Sequence, residues 1–296
     1  MKHYPSFAAV AATALLLAAS CSVLEDRIAC NFTAPVTVRV SDFSVSEGEF
    51  PTKAASSAAD YEGVKSLTLA FYNGDAATYK ATQTKGALEE GETFGEFSLS
   101  LPMGSYTMVV IGHGLKEGEP AITLTSPTSA TFGDNTVRET FMHTRHVDID
   151  GTDAVELGAT LDRIVSKLQI ASTDTRTEGA DFVRMTFAAG GKSFSPATGL
   201  ATGNTGFSNS VEISTDAGST SLSNSYLFLN TDEQAIDVTV ETLDAQGNTL
   251  FRKTIGNVPF KRNRVTRLNG AIYTNSGIGG SFQIDTDWLD NYRQDF

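Results

Sequence analysis

The chain has 296 residues, with 22 basic and 35 acidic side chains, a formal net charge of −13 and two cysteines. An acidic surface of this size repels phosphate backbones and anionic headgroups, which argues against nucleic acid as a partner. Two cysteines exclude a disulfide framework, so packing and hydrogen bonds must hold the fold, and the length accommodates one or two domains.

The first thirty residues, MKHYPSFAAVAATALLLAASCSVLEDRIAC, read as a secretion signal. Lys2 supplies a positive start, Phe7 to Ala19 is an apolar run too short to span a bilayer, and small residues precede Cys21. A cysteine directly after Ala18-Ala19-Ser20 suits attachment of a diacylglycerol to its thiol and cleavage before it. Residues 1–20 are thus the expected signal peptide and Cys21 the expected lipidation site, and loss of Lys2 moves the formal charge to −14. Several acyl chains, each CH₂ contributing about 0.8 kcal/mol, hold a protein on a membrane where a single chain is marginal. An ordinary secretory signal cut near Ser20 is the competing reading. If Cys21 is acylated, Cys30 has no partner within the chain.

Beyond the leader the apolar period is mostly two, the pattern of an antiparallel sandwich with one wet face. Val36, Val38 and Val40 alternate with polar residues, as do Leu67, Leu69 and Phe71, then Phe97, Leu99 and Leu101, then Tyr106, Met108 and Val110. Between the first two runs, Ser46 to Gly63 reads as a long flexible connection. In LPMGSYTM a turn is expected, because Pro102 fixes φ and Gly104 permits a positive one. Later strands are expected around Leu168 and Ile170, from Phe182 to Phe187, from Tyr226 to Leu229, at Ile236, Val238 and Val240, from Thr266 to Tyr273 and from Phe282 to Ile284. Asp244 to Asn248 suits a hairpin loop. Gly190 to Ser225, full of Gly, Ser, Thr and Asn, reads as a long exposed excursion. LGATLDRIVSKL fits either a helix, with Leu157, Leu161, Ile164, Val165 and Leu168 on one face, or a strand from Ile164 to Ile170.

The fold expected from these periods is all-β, with two antiparallel β-sandwich domains in tandem. A Gly- and Asp-containing, strand-poor stretch from Asp148 to Thr160 places the boundary, giving an N-terminal domain over residues 21–152 and a C-terminal domain over 153–296.

Little in the sequence points to catalysis. His143 and His146 stand three apart, a spacing that suits a metal on a helix, but FMHTRHVDID is β-rich and lacks the Glu of a zinc-protease motif. His113 in IGHG reads as a loop residue after a strand. Gly190-Gly191-Lys192-Ser193 ends like a phosphate-binding loop without that loop's first glycine. No pair among the 35 acidic residues is marked out for glycoside hydrolysis, and Cys30 has no poised base. The expectation is no enzyme, no metal and no cofactor. The basic cluster KRNRVTR, Lys261 to Arg267, reads either as a docking strip for an acidic neighbour or as the wet face of a strand whose charges discourage edge pairing.

CSVLEDRIAC, with Cys21, Glu25-Asp26-Arg27 and Cys30, resembles the start of mature chains in the FimB-type fimbrial anchor and accessory subunits of the Bacteroidales fimbrillin superfamily; Asn31 stands where that family carries Pro. LPMGSYTMVVIGHG, LDRIVSKLQI and NVPFKRNRVTRLNGAIY are similar to further pieces of the same family, in the same order. The resemblance implies two transthyretin-like sandwiches and a lipid-anchored, surface-exposed place on the cell outer membrane. It also implies assembly with other fimbrial subunits by strand complementation. In that superfamily stalk subunits are cut after an Arg and lose their first strand, whereas anchors keep it. Arg27 and Arg39 are the candidate processing sites here, and Arg39 lies inside the strand VTVRV, where cleavage needs local unfolding. TDWLDNYRQDF at the C-terminus does not alternate strictly and makes a poor donor strand. The favoured reading is an uncut anchor. The alternatives are an accessory or tip subunit cut after an Arg, or a surface glycan-binding lipoprotein using the Gly190 to Ser225 excursion, whose only aromatics are Phe194 and Phe207.

Overall fold

The computed structural model describes residues 32–44, 61–116, 118–134, 136–274 and 283–285. In its first half the strands are β1 (Thr33–Ser44), β2 (Ser66–Asn73), β3 (Ala76–Thr84), β4 (Glu96–Pro102), β5 (Gly104–His113), β6 (Ile122–Ser126), β7 (Ser129–Phe132), β8 (Thr140–Ile149) and β9 (Val155–Arg163). In its second half they are β10 (Ser166–Ser172), β11 (Phe182–Phe187), β12 (Ser193–Ser195), β13 (Leu200–Ala201), β14 (Phe207–Glu212), β15 (Leu222–Leu227), β16 (Glu233–Leu243), β17 (Thr249–Lys261), β18 (Val265–Gly270) and β19 (Gln283–Asp285). The protein is all-β, and no helix occurs among the described residues.

Alternation explains the first core. In β1 the side chains of Ala34, Val36, Val38 and Val40 are buried while Pro35 and Arg39 face water, and in β9 Leu157, Ala159 and Leu161 turn inward while Glu156, Gly158 and Thr160 turn out. These join Leu67, Leu69, Phe71, Met108, Val110 and Phe141 in one apolar cluster. Each fully buried Val, Leu or Phe contributes roughly 1.5–3 kcal/mol of transfer free energy. The seven-stranded sheet that encloses this core has the order β3-β2-β5-β8-β9-β1-β4. At the β8–β9 corner only Phe141↔Arg163 and Met142↔Asp162 pair.

The second core lies between two four-stranded sheets, β15-β10-β18-β19 and β14-β11-β16-β17, and contains Leu168, Ile170, Met185, Val238, Val240 and Phe260. The strand order repeats between the halves. β4-β1-β9 corresponds to β15-β10-β18, and β3-β2-β5-β8 corresponds to β14-β11-β16-β17. In strand pairing β9 belongs with β1, so the first pattern runs to Arg163 and the second begins at Ser166.

Two additions interrupt the repeat, and they pair with each other. β6–β7 follows β5, β12–β13 follows β11, and Phe194↔Ala130 joins them in a fourth sheet, β13-β12-β7-β6. Ala70, Tyr72, Val109 and Ile111, on the outer faces of β2 and β5, pack with Phe132, Phe194 and Phe228 in a third cluster. That is why β2 and β5 are buried on both faces rather than alternating.

Three sequence expectations need correction. The sheets are not purely antiparallel: β1–β9 and β10–β18 are parallel, and an alternating strand looks the same whichever way its partner runs. LGATLDRIVSKL divides between β9 and β10, because Leu157 and Leu161 serve the first core, Leu168 the second, and Ile164 and Val165 the third cluster. Gly190 to Ser225 is not a free excursion. It holds β12, β13, β14 and most of β15, with positive φ at Gly190, Gly199, Gly206 and Gly218 allowing tight turns between short polar strands.

Candidate assembly strand and neighbouring clefts

β1 has partners on both sides. It pairs antiparallel with β4 from Thr33↔Pro102 to Arg39↔Glu96, and parallel with β9 from Val36↔Val155 to Ser44↔Asp162, with a bulge between Val40 and Asp42. Its pattern TAPVTVRV explains the placement: small and β-branched side chains fill the narrow interior on one face, and the other face is polar. Pro35 costs one ladder donor.

The side chain of Arg39 is 54% exposed and lies between Glu96, at 3.4 Å, and Glu156. The Glu96 hydrogen bond, then the Glu156 charge, raise its pKa and keep the guanidinium firmly protonated. The Arg39–Val40 bond is less free than that side chain. Val40 donates its N–H to the Gly95 carbonyl at 2.8 Å, and its side chain is 5% exposed. A protease reading Arg39 therefore meets an accessible guanidinium on a backbone held by both neighbours, and cleavage requires β1 to lift out. The strand's departure would open a groove lined by the core residues beside it and by unpaired backbone groups of β4 and β9. An added strand satisfies both.

The other predicted sites are scattered. Cys21, Arg27 and Cys30 lie outside the described residues, as does most of the Ser46 to Gly63 connection. β8 carries His143 and His146 on opposite faces: His143 bonds through Nδ1 to the Thr160 carbonyl at 3.0 Å, and His146 Nε2 lies 3.0 Å from Asp148. Among the described residues no three His, Cys, Asp or Glu side chains gather as a metal set. His113 is wholly buried at the end of β5. Gly190 donates its N–H to Asn204 and Asn230, and the Gly191 backbone bridges to Phe228, so GGKS leads into a strand and not into a phosphate-binding helix. Phe194 is buried against Phe228, and Phe207 packs on Phe187 at 5.0 Å. Phe194 thus offers no stacking surface for a sugar, and Phe207 is half-buried.

The basic cluster forms the β17–β18 turn, where Asn263 has a positive φ of 60°. Lys261 pairs with Glu233 at 2.6 Å, Arg262 with Asp232 at 2.5 Å, and Arg267 donates to Gln169 at 2.6 Å. Beside it opens a cleft of about 870 Å³ lined by His143, Asp162, Arg163, Asp232, Arg262 and Arg264, so both signs of charge meet there. A second cleft of about 530 Å³ runs between Lys65, Arg138 and Glu139 on one side and Asn209, Glu212 and Tyr226 on the other. The Lys167 ammonium lies 5.7 Å from the centre of the Tyr226 ring.

Three polar side chains that bridge distant segments had no signal in the sequence. Arg163 donates to Glu139 at 2.8 Å, Asn263 at 2.9 Å and the Tyr61 hydroxyl at 3.2 Å, while its guanidinium covers Phe141. Burial, then the Glu139 charge, push the Tyr61 pKa up to about 12. Gln83 bridges β3 to the start of β4, donating to the Glu96 carbonyl and accepting from Gly95 N–H, both at 2.8 Å. Asp174 accepts from the N–H groups of Ile272, Tyr273 and Thr274, each at 2.9 Å. Their partners are distant in sequence, so no local pattern marks them.

A family model described as a family of unknown function, DUF6562, matches residues 31–295. No curated protein matches the chain in sequence. Among solved structures, a candidate adhesin from Bacteroides ovatus is 14% identical and superposes with a TM-score of 0.50, over 85% of this chain and 92% of that one. A candidate adhesin from Bacteroides thetaiotaomicron is 13% identical over 88% and 98% of the two chains, with a TM-score of 0.49. The fimbrial anchor protein Mfa2 from Porphyromonas gingivalis is 14% identical over 88% and 100%, with a TM-score of 0.47. The likeness to the B. ovatus protein is one of fold.

Proposed function

We propose that this chain, which belongs to the DUF6562 family of unknown function, is a lipid-anchored fimbrial subunit that attaches a strand-exchange-assembled surface fimbria to the outer membrane and limits its growth. The observation that carries this reading is the setting of β1. Its inward side chains are buried and its backbone is paired on both sides, so the uncut chain fills its own acceptor groove. A subunit with a filled groove accepts no further strand there and ends the series, which is what an anchor does. Acylation at Cys21 after loss of residues 1–20 holds it on the membrane, and Arg27 and Arg39 stay uncut. The role is structural, without catalysis. The repeated strand order supports two transthyretin-like domains in tandem, and the shared fold with a candidate adhesin is in keeping with a surface role.

Deleting the gene tests this. Cells without the chain are expected to release fimbriae into the medium, and those filaments should be longer than on parent cells. Retention of filaments at parental amount and length would contradict the proposal.

A further inference from the structure

The first half enters through β1 and leaves through β9, beside and parallel to it; the second enters through β10 and has β18 beside and parallel to it, followed only by the short β19. β1 lies along β9 from Val36↔Val155 to Ser44↔Asp162, and β10 lies along β18 from Lys167↔Val265 to Ser172↔Gly270. Parallel partners point the same way, so entry at Thr33 and exit at Arg163 fall at opposite ends of the first pair. The same holds for Ser166 and Gly270 in the second. Tension between the chain's two ends therefore acts along the strands and slides each first strand against its last. An antiparallel terminal pair would place entry and exit at the same end and be peeled open.

The two geometries differ mechanically. In sliding, the ladder hydrogen bonds carry load together and must break together, whereas in peeling they break one after another. β1 is also held by β4 over seven pairs and β10 by β15 over six, so both flanks of each first strand resist sliding. The link between the halves adds no slack: Ile164 is 3% exposed, Val165 is 1% exposed, and β7 pairs with β12 across the junction. β19 pairs antiparallel with β18 over three pairs, so it peels first and passes the load to residues 272–274, held by Asp174, and then to Gly270.

We propose that the chain is a tension-bearing tether in which β1–β9 and β10–β18 are two shear clamps in series. Its biological purpose rests on the anchoring reading above, but its test does not.

The test is single-molecule pulling of the full chain carrying Cys21→Ser and Cys30→Ser. One geometry has handles at the two termini. The other has the N-terminal handle and a thiol introduced as Met103→Cys, beside Phe32, whose carbonyl accepts the Met103 N–H at 3.1 Å. Asp153→Cys, in the exposed turn before β9, gives a second handle at the same end should the first variant misfold. Forced rupture reads the unfolding rate under load. The expected rupture force end to end is at least twice that in either same-end geometry at equal loading rate. Equal or lower end-to-end force overturns the clamp and leaves the anchoring proposal to its own test.

Discussion

His113 Nε2 accepts the backbone N–H of Ile122 at 3.2 Å, while its Nδ1–H donates to the Gly114 carbonyl at 2.7 Å. The two bonds fix a neutral ring, packed edge-on against Phe132 with centroids 5.2 Å apart. The ring ties the β6–β7 addition to the end of β5.

Burial pulls the His113 pKa down to about 4 from an ordinary value near 6.5. A lowered folded-state pKa means that the unfolded chain binds the extra proton between those values. The stabilisation is therefore complete above about pH 6.5 and is lost as pH falls towards 4, by about 2 kcal/mol between pH 7 and pH 5. Urea titrations at the two pH values should show this loss, and His113→Gln should remove most of the difference. An unchanged difference in the variant would contradict the assignment.

Asp174 gathers the chain that follows β18. Burial opposes its charge, but hydrogen bonds from Ile272, Tyr273 and Thr274 more than offset it, and its pKa lies below the usual carboxylate range. Its contribution is present above that range and fades as pH falls through the folded value. Asp174→Ala should cost about 2 kcal/mol and raise amide exchange at Ile272 to Thr274 before the core is affected. Unaltered exchange there would exclude the role.

Gln83→Leu keeps the volume but leaves Gly95 N–H without its partner and takes a donor from the Glu96 carbonyl. The expected cost is about 2–4 kcal/mol, seen as a lower urea midpoint with an unchanged slope.

Phe194 is fully buried in the third cluster, its ring 4.5 Å from Phe228, and its backbone pairs across the shared sheet. Phe194→Ala should cost about 3–5 kcal/mol and split one calorimetric transition into two as the halves uncouple. A single transition with a loss under about 1 kcal/mol would show that the junction lies elsewhere.

Alternation made β1, β4, β11 and the first part of β16 legible, because each has one face on a core and the other turned towards water; β10 alternates in sequence too, but Lys167 and Gln169 on its polar face are buried as well. β2 and β5 were recognised as strands, but the cover on their outer faces was not, since it comes from β6–β7 and from β12, more than eighty residues beyond β5. β12, β13, β14 and the first four residues of β15 were hidden in a run of Ser, Asn and Gly, where the polar Ser and Asn side chains bond within the fold, as Asn209 does to Ser225; only the end of β15, at Tyr226 and Leu227, was legible as a strand. The position of Arg39 inside the first strand was readable from its β-branched neighbours. Its bracketing by Glu96 and Glu156, fifty-seven and 117 residues away, was not. Pairing direction left no trace in any single strand, and it decides how the chain would bear load.

An anchor of this kind stays uncut with its lipid in place. The direct test is the mass of its N-terminal peptide, taken from protein in membranes and from sheared filaments. An acylated peptide beginning at Cys21 is expected in both. A filament-associated form beginning at Ile28 or Val40 would contradict it and make this a processed stalk or tip subunit.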